Sequence, residues 1–130
     1  MSIQLQGQNI LFVDDDNDIL LTLQAAFEPT GATLHTAKNG NDAVEVAERV
    51  KPDLMILDLM LPGRSGFLVL EKLKKRRPTD KPYVIMITGN QGSRHKDFAS
   101  TYGVNEYLQK PVKLDKLLAT AEKLLKPAGA

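Results

Sequence analysis

Short apolar runs that stop abruptly at polar or charged residues constrain this chain more than any other feature. Ile10-Leu11-Phe12-Val13 ends in three aspartates, Asp14, Asp15 and Asp16. Leu54-Met55-Ile56-Leu57 ends in Asp58, and Tyr83 to Ile87 ends in Thr88-Gly89. Runs this short and this apolar read as strands buried on both faces, with polar chemistry gathered at their carboxyl ends. Thr33 to Ala37 is a weaker, alternating strand, and Tyr107-Leu108 is a brief one leading to Lys110-Pro111.

Amphipathic stretches fill the intervals. Ile19, Leu20, Leu23, Ala26 and Phe27 recur at helical spacing until Glu28-Pro29-Thr30-Gly31 stops them. Ala43, Val44, Val46, Ala47 and Val50 mark a second helix, closed by Pro52. Phe67, Leu68, Leu70, Leu73 and Lys74 predict a third, ending before Pro78, and Phe98, Ala99 and Tyr102 a short fourth. Leu114, Leu117, Leu118, Ala121, Leu124 and Leu125 form the clearest amphipathic helix, ending near Pro127. Buried strands separated by helix-length connections predict a parallel sheet covered on both faces. Right-handed crossovers make it an open, doubly wound α/β domain. Ligands of such sheets bind outside the carboxyl ends of the strands.

The chain has 130 residues, which predicts one domain over 1–130 with a core of about 9–126. It has no cysteine, which excludes disulfide scaffolds, thiolate metal sites and cysteine nucleophiles and suits a reducing cytoplasm. A net charge of +1 argues against bulk attraction to nucleic acid or membrane. No apolar run approaches the roughly 20 residues that span a bilayer. The start, MSIQLQGQN, lacks the basic and apolar regions of a signal peptide. The Met start and short tails fit a complete small protein, although a piece of a longer chain would read the same.

At the carboxyl edge the fold gathers Asp14, Asp15 and Asp16 with Asp58, Thr88 and Lys110. Carboxylates crowded in one crevice repel one another. Mg²⁺, for which Mn²⁺ can substitute, relieves that conflict and also binds phosphate. Lysine supplies a point charge for phosphate oxygens and threonine a hydroxyl donor. A carboxylate nucleophile, a metal, a cation and a hydroxyl are the parts that phosphoryl transfer to aspartate requires.

Val13-Asp14-Asp15-Asp16, Leu57-Asp58-Leu59-Met60-Leu61-Pro62-Gly63, Thr88-Gly89 and Tyr107-Leu108-Gln109-Lys110-Pro111 stand in order at the strand ends. Together they give the chain, over nearly its whole length, a resemblance to the receiver domains of two-component response regulators. The resemblance implies a flavodoxin-like (βα)5 fold with strand order 2-1-3-4-5. It implies that Asp58 is the phosphoacceptor, that Asp14 and Asp15 hold Mg²⁺ with Asp15 the direct ligand, and that the Met60 carbonyl is a further ligand. Thr88 and Lys110 would hold the phosphoryl oxygens, and Tyr107 would be the aromatic of the output switch. It also raises the expectation of a cis Lys110-Pro111 bond. Val112 departs from the pattern, standing where an aromatic often follows Lys-Pro.

Plainer readings compete for several residues. Asp16 or Asn17 caps the first helix. Asn39-Gly40 is a strand-to-helix turn. Lys72, Lys74, Lys75, Arg76 and Arg77 form a basic run, expected to be a solvated helix end favoured by the dipole. His35 and His95 are isolated and expected at the surface. No G-x-S-x-G elbow, P-loop or G-x-G-x-x-G occurs.

The expected function is a signalling switch that assists its own phosphorylation and dephosphorylation. Its partners would be a histidine kinase or histidine phosphotransfer protein and a downstream protein target, without nucleic acid or membrane. A monomer or weak phosphorylation-dependent dimer is expected. Met60 and Asn90 would flank the path of the hydrolytic water. Two alternatives stand beside this. The chain could be a receiver domain excised from a hybrid kinase or multidomain regulator. It could instead be an aspartate-nucleophile phosphatase or dehalogenase, although it has little room for the covering cap such enzymes use.

Overall fold

A computed structural model describes residues 3–89 and 101–125. Strands β1 (Asn9–Val13), β2 (Thr33–Ala37), β3 (Leu54–Asp58), β4 (Tyr83–Thr88) and β5 (Glu106–Gln109) pair in parallel in the order β2-β1-β3-β4-β5. This is the doubly wound sheet that the alternating pattern predicts. Helices α1 (Asn17–Phe27), α2 (Gly40–Val50), α3 (Gly66–Lys72) and α4 (Leu114–Leu125) cover it.

The period of two along each strand divides the core. Ile10, Phe12, Leu54, Ile56, Ile85 and Ile87 face one side, against Leu20, Leu23 and Phe27 of α1 and Leu117 and Ala121 of α4. Leu11, Val13, Met55, Leu57, Val84 and Met86 face the other, against Ala43, Val44 and Ala47 of α2 and Val69 and Leu70 of α3. The central strands are therefore apolar without alternation because both faces are covered. Among the described residues no helix is long and apolar enough to cross a membrane.

Local signals act where they stand. Asp16 caps α1, accepting from the amides of Asp18 at 2.8 Å and Ile19 at 3.3 Å. Asn39 caps α2 through the Asp42 amide, so Asn39-Gly40 is the strand-to-helix turn expected. Gly31, at φ 83°, closes the 3-10 turn Glu28–Thr30 that ends α1. Lys110-Pro111 is cis, and so is Lys81-Pro82.

Three expectations need correction. Helix α3 stops at Lys72, not beyond Lys74, and Lys74 turns left-handed at φ 62°. The basic run is not uniformly solvated: Lys75 is 1% exposed. Its ammonium donates to the carbonyls of Arg77 at 3.0 Å and Asp80 at 2.6 Å, and carbonyls without a helical partner reward that bend. His35 is half-buried on β2, its Nε2 3.2 Å from Asn9 Oδ1.

The fourth helix expected around Phe98 and Ala99, with His95, lies outside the described residues; Tyr102 stands in a turn with its ring stacked on Phe67. The segment before β1, which carries no strand or helix pattern, still contributes to the core. Leu5 is buried and its amide donates to the Thr30 carbonyl at 2.7 Å.

Candidate functional site

Sheet pairing, rather than loop structure, places the polar residues. The Asp14 amide donates to the Ala37 carbonyl at 3.1 Å, so pairing between β1 and β2 continues one residue past Val13. Asp58 is the last residue of β3, opposite Ile87. Thr88 ends β4, and its carbonyl accepts the Lys110 amide at 2.8 Å. Each polar residue is held by backbone ladders anchored in an apolar core.

One carboxylate oxygen each from Asp14, Asp15 and Asp58 lies within 4.8 Å of the others. Asp14 and Asp58 are 4% and 5% exposed, Asp15 is exposed and Thr88 is fully buried. Lys110 Nζ stands 3.0 Å from Asp58 Oδ2 and 3.7 Å from Asp14 Oδ2. The remaining lone pairs are partly used. Asp58 Oδ1 accepts the Met60 amide at 3.0 Å, and Asp14 Oδ1 accepts the Asp16 amide at 2.9 Å.

Among the described residues three carboxylates thus face one ammonium, and the balance is visible at Asp14 and Lys110. Burial pushes the Asp14 carboxyl up, and the charges of Asp58 and Asp15 add to it. The Asp16 amide and Lys110 oppose the rise without cancelling it. Burial alone would pull Lys110 down. The hydrogen bond to Asp58 and the charges of Asp58, Asp14 and Asp15 outweigh it, so Lys110 lies above the usual lysine range. A half-buried all-oxygen cluster with excess negative charge suits a hard divalent cation. The donor set therefore fits such an ion, and the acidic cluster is consistent with a phosphoacceptor site.

Tyr107 pairs with Met86, two residues before Thr88 in the register, and its side chain lies against the same core as Met86. Burial pushes its phenol up, and an interaction with Thr88 works in the other direction. That contact falls short of full hydrogen-bond geometry, and the buried phenol oxygen makes no full hydrogen bond among the described residues. The Met60 side chain is 69% exposed. Asn90 lies outside the described residues. A cavity of about 630 Å³ opens beside the cluster, lined by Asp14, Ile19, Leu23, Ile87, Lys110 and Val112 among others.

Sequence patterning marks Gly66 only as part of a loop, yet it sits against the site. The Gly66 amide donates to the Leu59 carbonyl at 2.9 Å, and a Cβ there would sit 3.0 Å from the Asp58 carbonyl oxygen. Two glycines within Pro62-Gly63-Arg64-Ser65-Gly66 are the available sign of a close backbone approach.

A family model described as the response regulator receiver domain matches residues 10–122. Protein PilH of Pseudomonas aeruginosa is 34% identical over 116 residues, covering 89% of this chain and 96% of that protein. A CheY-like receiver domain protein from Methanospirillum hungatei superposes with a TM-score of 0.80 at 31% identity, covering 95% of this chain and 94% of that one. The BeF3-activated N-terminal receiver domain of RstA from Klebsiella pneumoniae also gives 0.80, at 26% identity, covering 92% and 99%. With its sheet order, its acidic cluster and these likenesses, the chain belongs to the response regulator receiver domain family, whose members are phosphoacceptor modules of signalling rather than enzymes.

Proposed function

We propose that the chain takes a phosphoryl group onto Asp58, in the presence of Mg²⁺, from the phosphohistidine of a histidine kinase or phosphotransfer protein. The observation that carries this reading is the pairing of a buried Asp58 with Lys110 at 3.0 Å beside two further carboxylates. An Asp58 carboxylate oxygen attacks phosphorus. The phosphorus–nitrogen bond breaks, and the imidazole leaves with the electron pair. The ion, held by Asp14, Asp15, Asp58 and the Met60 carbonyl, would neutralise the carboxylates and the incoming phosphoryl charge. Lys110 supplies the cation on the other side, and the Thr88 hydroxyl a donor for the phosphoryl oxygen. The cavity lined by Asp14 and Lys110 supports access for a partner to this edge.

Thr88 and Tyr107 point into the same side of the sheet, which supports a switch in which phosphorylation draws Thr88 and frees Tyr107 to rearrange. The altered surface would then bind a downstream protein. The activation of a similar receiver by BeF3 supports the same chemistry here.

The test is acetyl phosphate with Mg²⁺ and intact-mass spectrometry. One added phosphoryl group is expected for the native chain and none for Asp58→Ala. The full adduct persisting in the variant would sink the assignment. Turnover of small phosphate esters would instead favour an aspartate-nucleophile hydrolase.

A further inference from the structure

The loop between β3 and α3 carries Met60, whose carbonyl is the one main-chain group in the proposed ion site. That loop is held at both ends by hydrogen bonds. The Leu59 amide donates to the Ile87 carbonyl at 2.9 Å, and Ser65 caps α3 through the Leu68 amide. Its middle is held by something else, the first turn of α2. The Gly40 amide donates to the Pro62 carbonyl at 3.2 Å. Asn41 Oδ1 accepts Arg64 Nε at 3.1 Å. Gly40 is buried, and a Cβ there would collide with both the Cβ and the main-chain carbonyl of Arg64. Gly63, left-handed at φ 81°, bends the loop over the Asn41 amide.

We infer that the Gly40-Asn41 turn at the start of α2 is a positioning element for the divalent-ion site, holding Pro62 and Arg64 so that the Met60 carbonyl keeps its place. This rests on the proposed metal role of Met60. Gly40 stands at this helix start for a tertiary reason. The backbone of a different loop occupies the space where its side chain would be, and backbone cannot move aside as the end of a flexible side chain can. A carbonyl ligand contributes to a hard-ion site only while its direction is held, and groups that orient ligands commonly set affinity by about tenfold or more. Among the described residues no hydrogen bond links Gly40 or Asn41 to Asp14, Asp15 or Asp58, so changes there reach the ion through the loop.

The experiment is calorimetric Mg²⁺ titration of the whole unphosphorylated chain, with thermal melting in metal-free buffer alongside. Gly40→Ala is expected to weaken Mg²⁺ binding about tenfold. Asn41→Ala and Arg64→Ala should each weaken it about threefold, and the double variant no more than either, because both remove one shared hydrogen bond. Gly7→Ala is the control. Gly7, unlike the helical Gly40, is left-handed, at φ 83°, and an added Cβ there would meet nothing within 4 Å, so it tests backbone strain remote from the site. It should lower the melting temperature and leave Mg²⁺ affinity unchanged. If Gly40→Ala fails to fold, the Asn41 and Arg64 variants alone decide the matter. Native-like Mg²⁺ affinity in every variant, with only lowered melting temperatures, overturns the positioning role. Absence of Mg²⁺ binding by the native chain overturns both this role and the metal reading beneath it.

Discussion

At the carboxyl end of the sheet Asp14 and Asp58 are buried beside one lysine; at the amino end Lys75 is buried beside main-chain carbonyls. The two regions bury charge on different terms. Lys75 donates to two carbonyls, and Asp80 closes the same turn by accepting the amides of Arg76 at 3.1 Å and Arg77 at 3.0 Å. Those two amides, with lesser help from Arg77's charge, hold the Asp80 carboxyl below its usual range. The turn is satisfied from within the chain. The carboxyl end is not, since among the described residues its third carboxylate has no cation of its own. A buried charge completed by the fold is structural, whereas one left in excess is an opening for a ligand.

The largest test of this comparison is Lys75→Met. It keeps the stem but takes the donor from the Asp80 carbonyl, at about 1–3 kcal/mol, while the Arg77 carbonyl still accepts the Asp80 amide at 2.9 Å. Stability to urea should fall by that amount, with Mg²⁺ affinity unchanged. A loss of Mg²⁺ binding would mean that the two ends are coupled. The same pair of proteins gives a pH test. Burial pulls the Lys75 pKa from 10.5 to about 8, with Asp80 opposing. The unfolded chain therefore binds more protons between those values, so Lys75 adds stability as pH rises through that window. The difference in unfolding free energy between native chain and Lys75→Met should increase from pH 8 to 10.5. A flat difference would show that the buried ammonium is not the titrating group.

At the other end the sign of the effect is reversed. Asp15→Asn removes one of three mutually repelling carboxylates. Metal-free stability should rise, while Mg²⁺ affinity falls about tenfold or more. Unchanged affinity in calorimetry would remove Asp15 from the ion site. The smallest expected effect concerns phosphoryl lifetime. Met60 has an exposed apolar side chain that can obstruct water but cannot orient it. Replacing Met60 with Asn and Asn90 with Glu together should speed loss of phosphate about tenfold, near 1.4 kcal/mol in the barrier. Equal rates after donor removal would mean that these side chains do not control water access.

The carboxyl end is legible in the amino-acid sequence, and the amino end is not. Asp14, Asp58, Thr88 and Lys110 each follow a recognisable strand, so the rule that ligands bind at the carboxyl edge of such a sheet locates them together. Lys75 lies in a run of five cations over 72–77, where only the backbone's path selects which one turns inward. Gly40 is equally silent, because what crowds it comes from another loop, the one that carries Arg64.

Order and periodicity along the chain determined the alternation of strand and helix, the two-sided core and the charged edge, because burial on both faces demands unbroken apolar strands between amphipathic helices. Tertiary structure alone decided the end of α3 at Lys72, the burial of Lys75, the entry of Leu5 into the core and the fastening of the β3–α3 loop to α2. These depend on which carbonyls lack partners and which backbones meet at contact distance, and residues distant in sequence carry no mark of either until the sheet has brought them together.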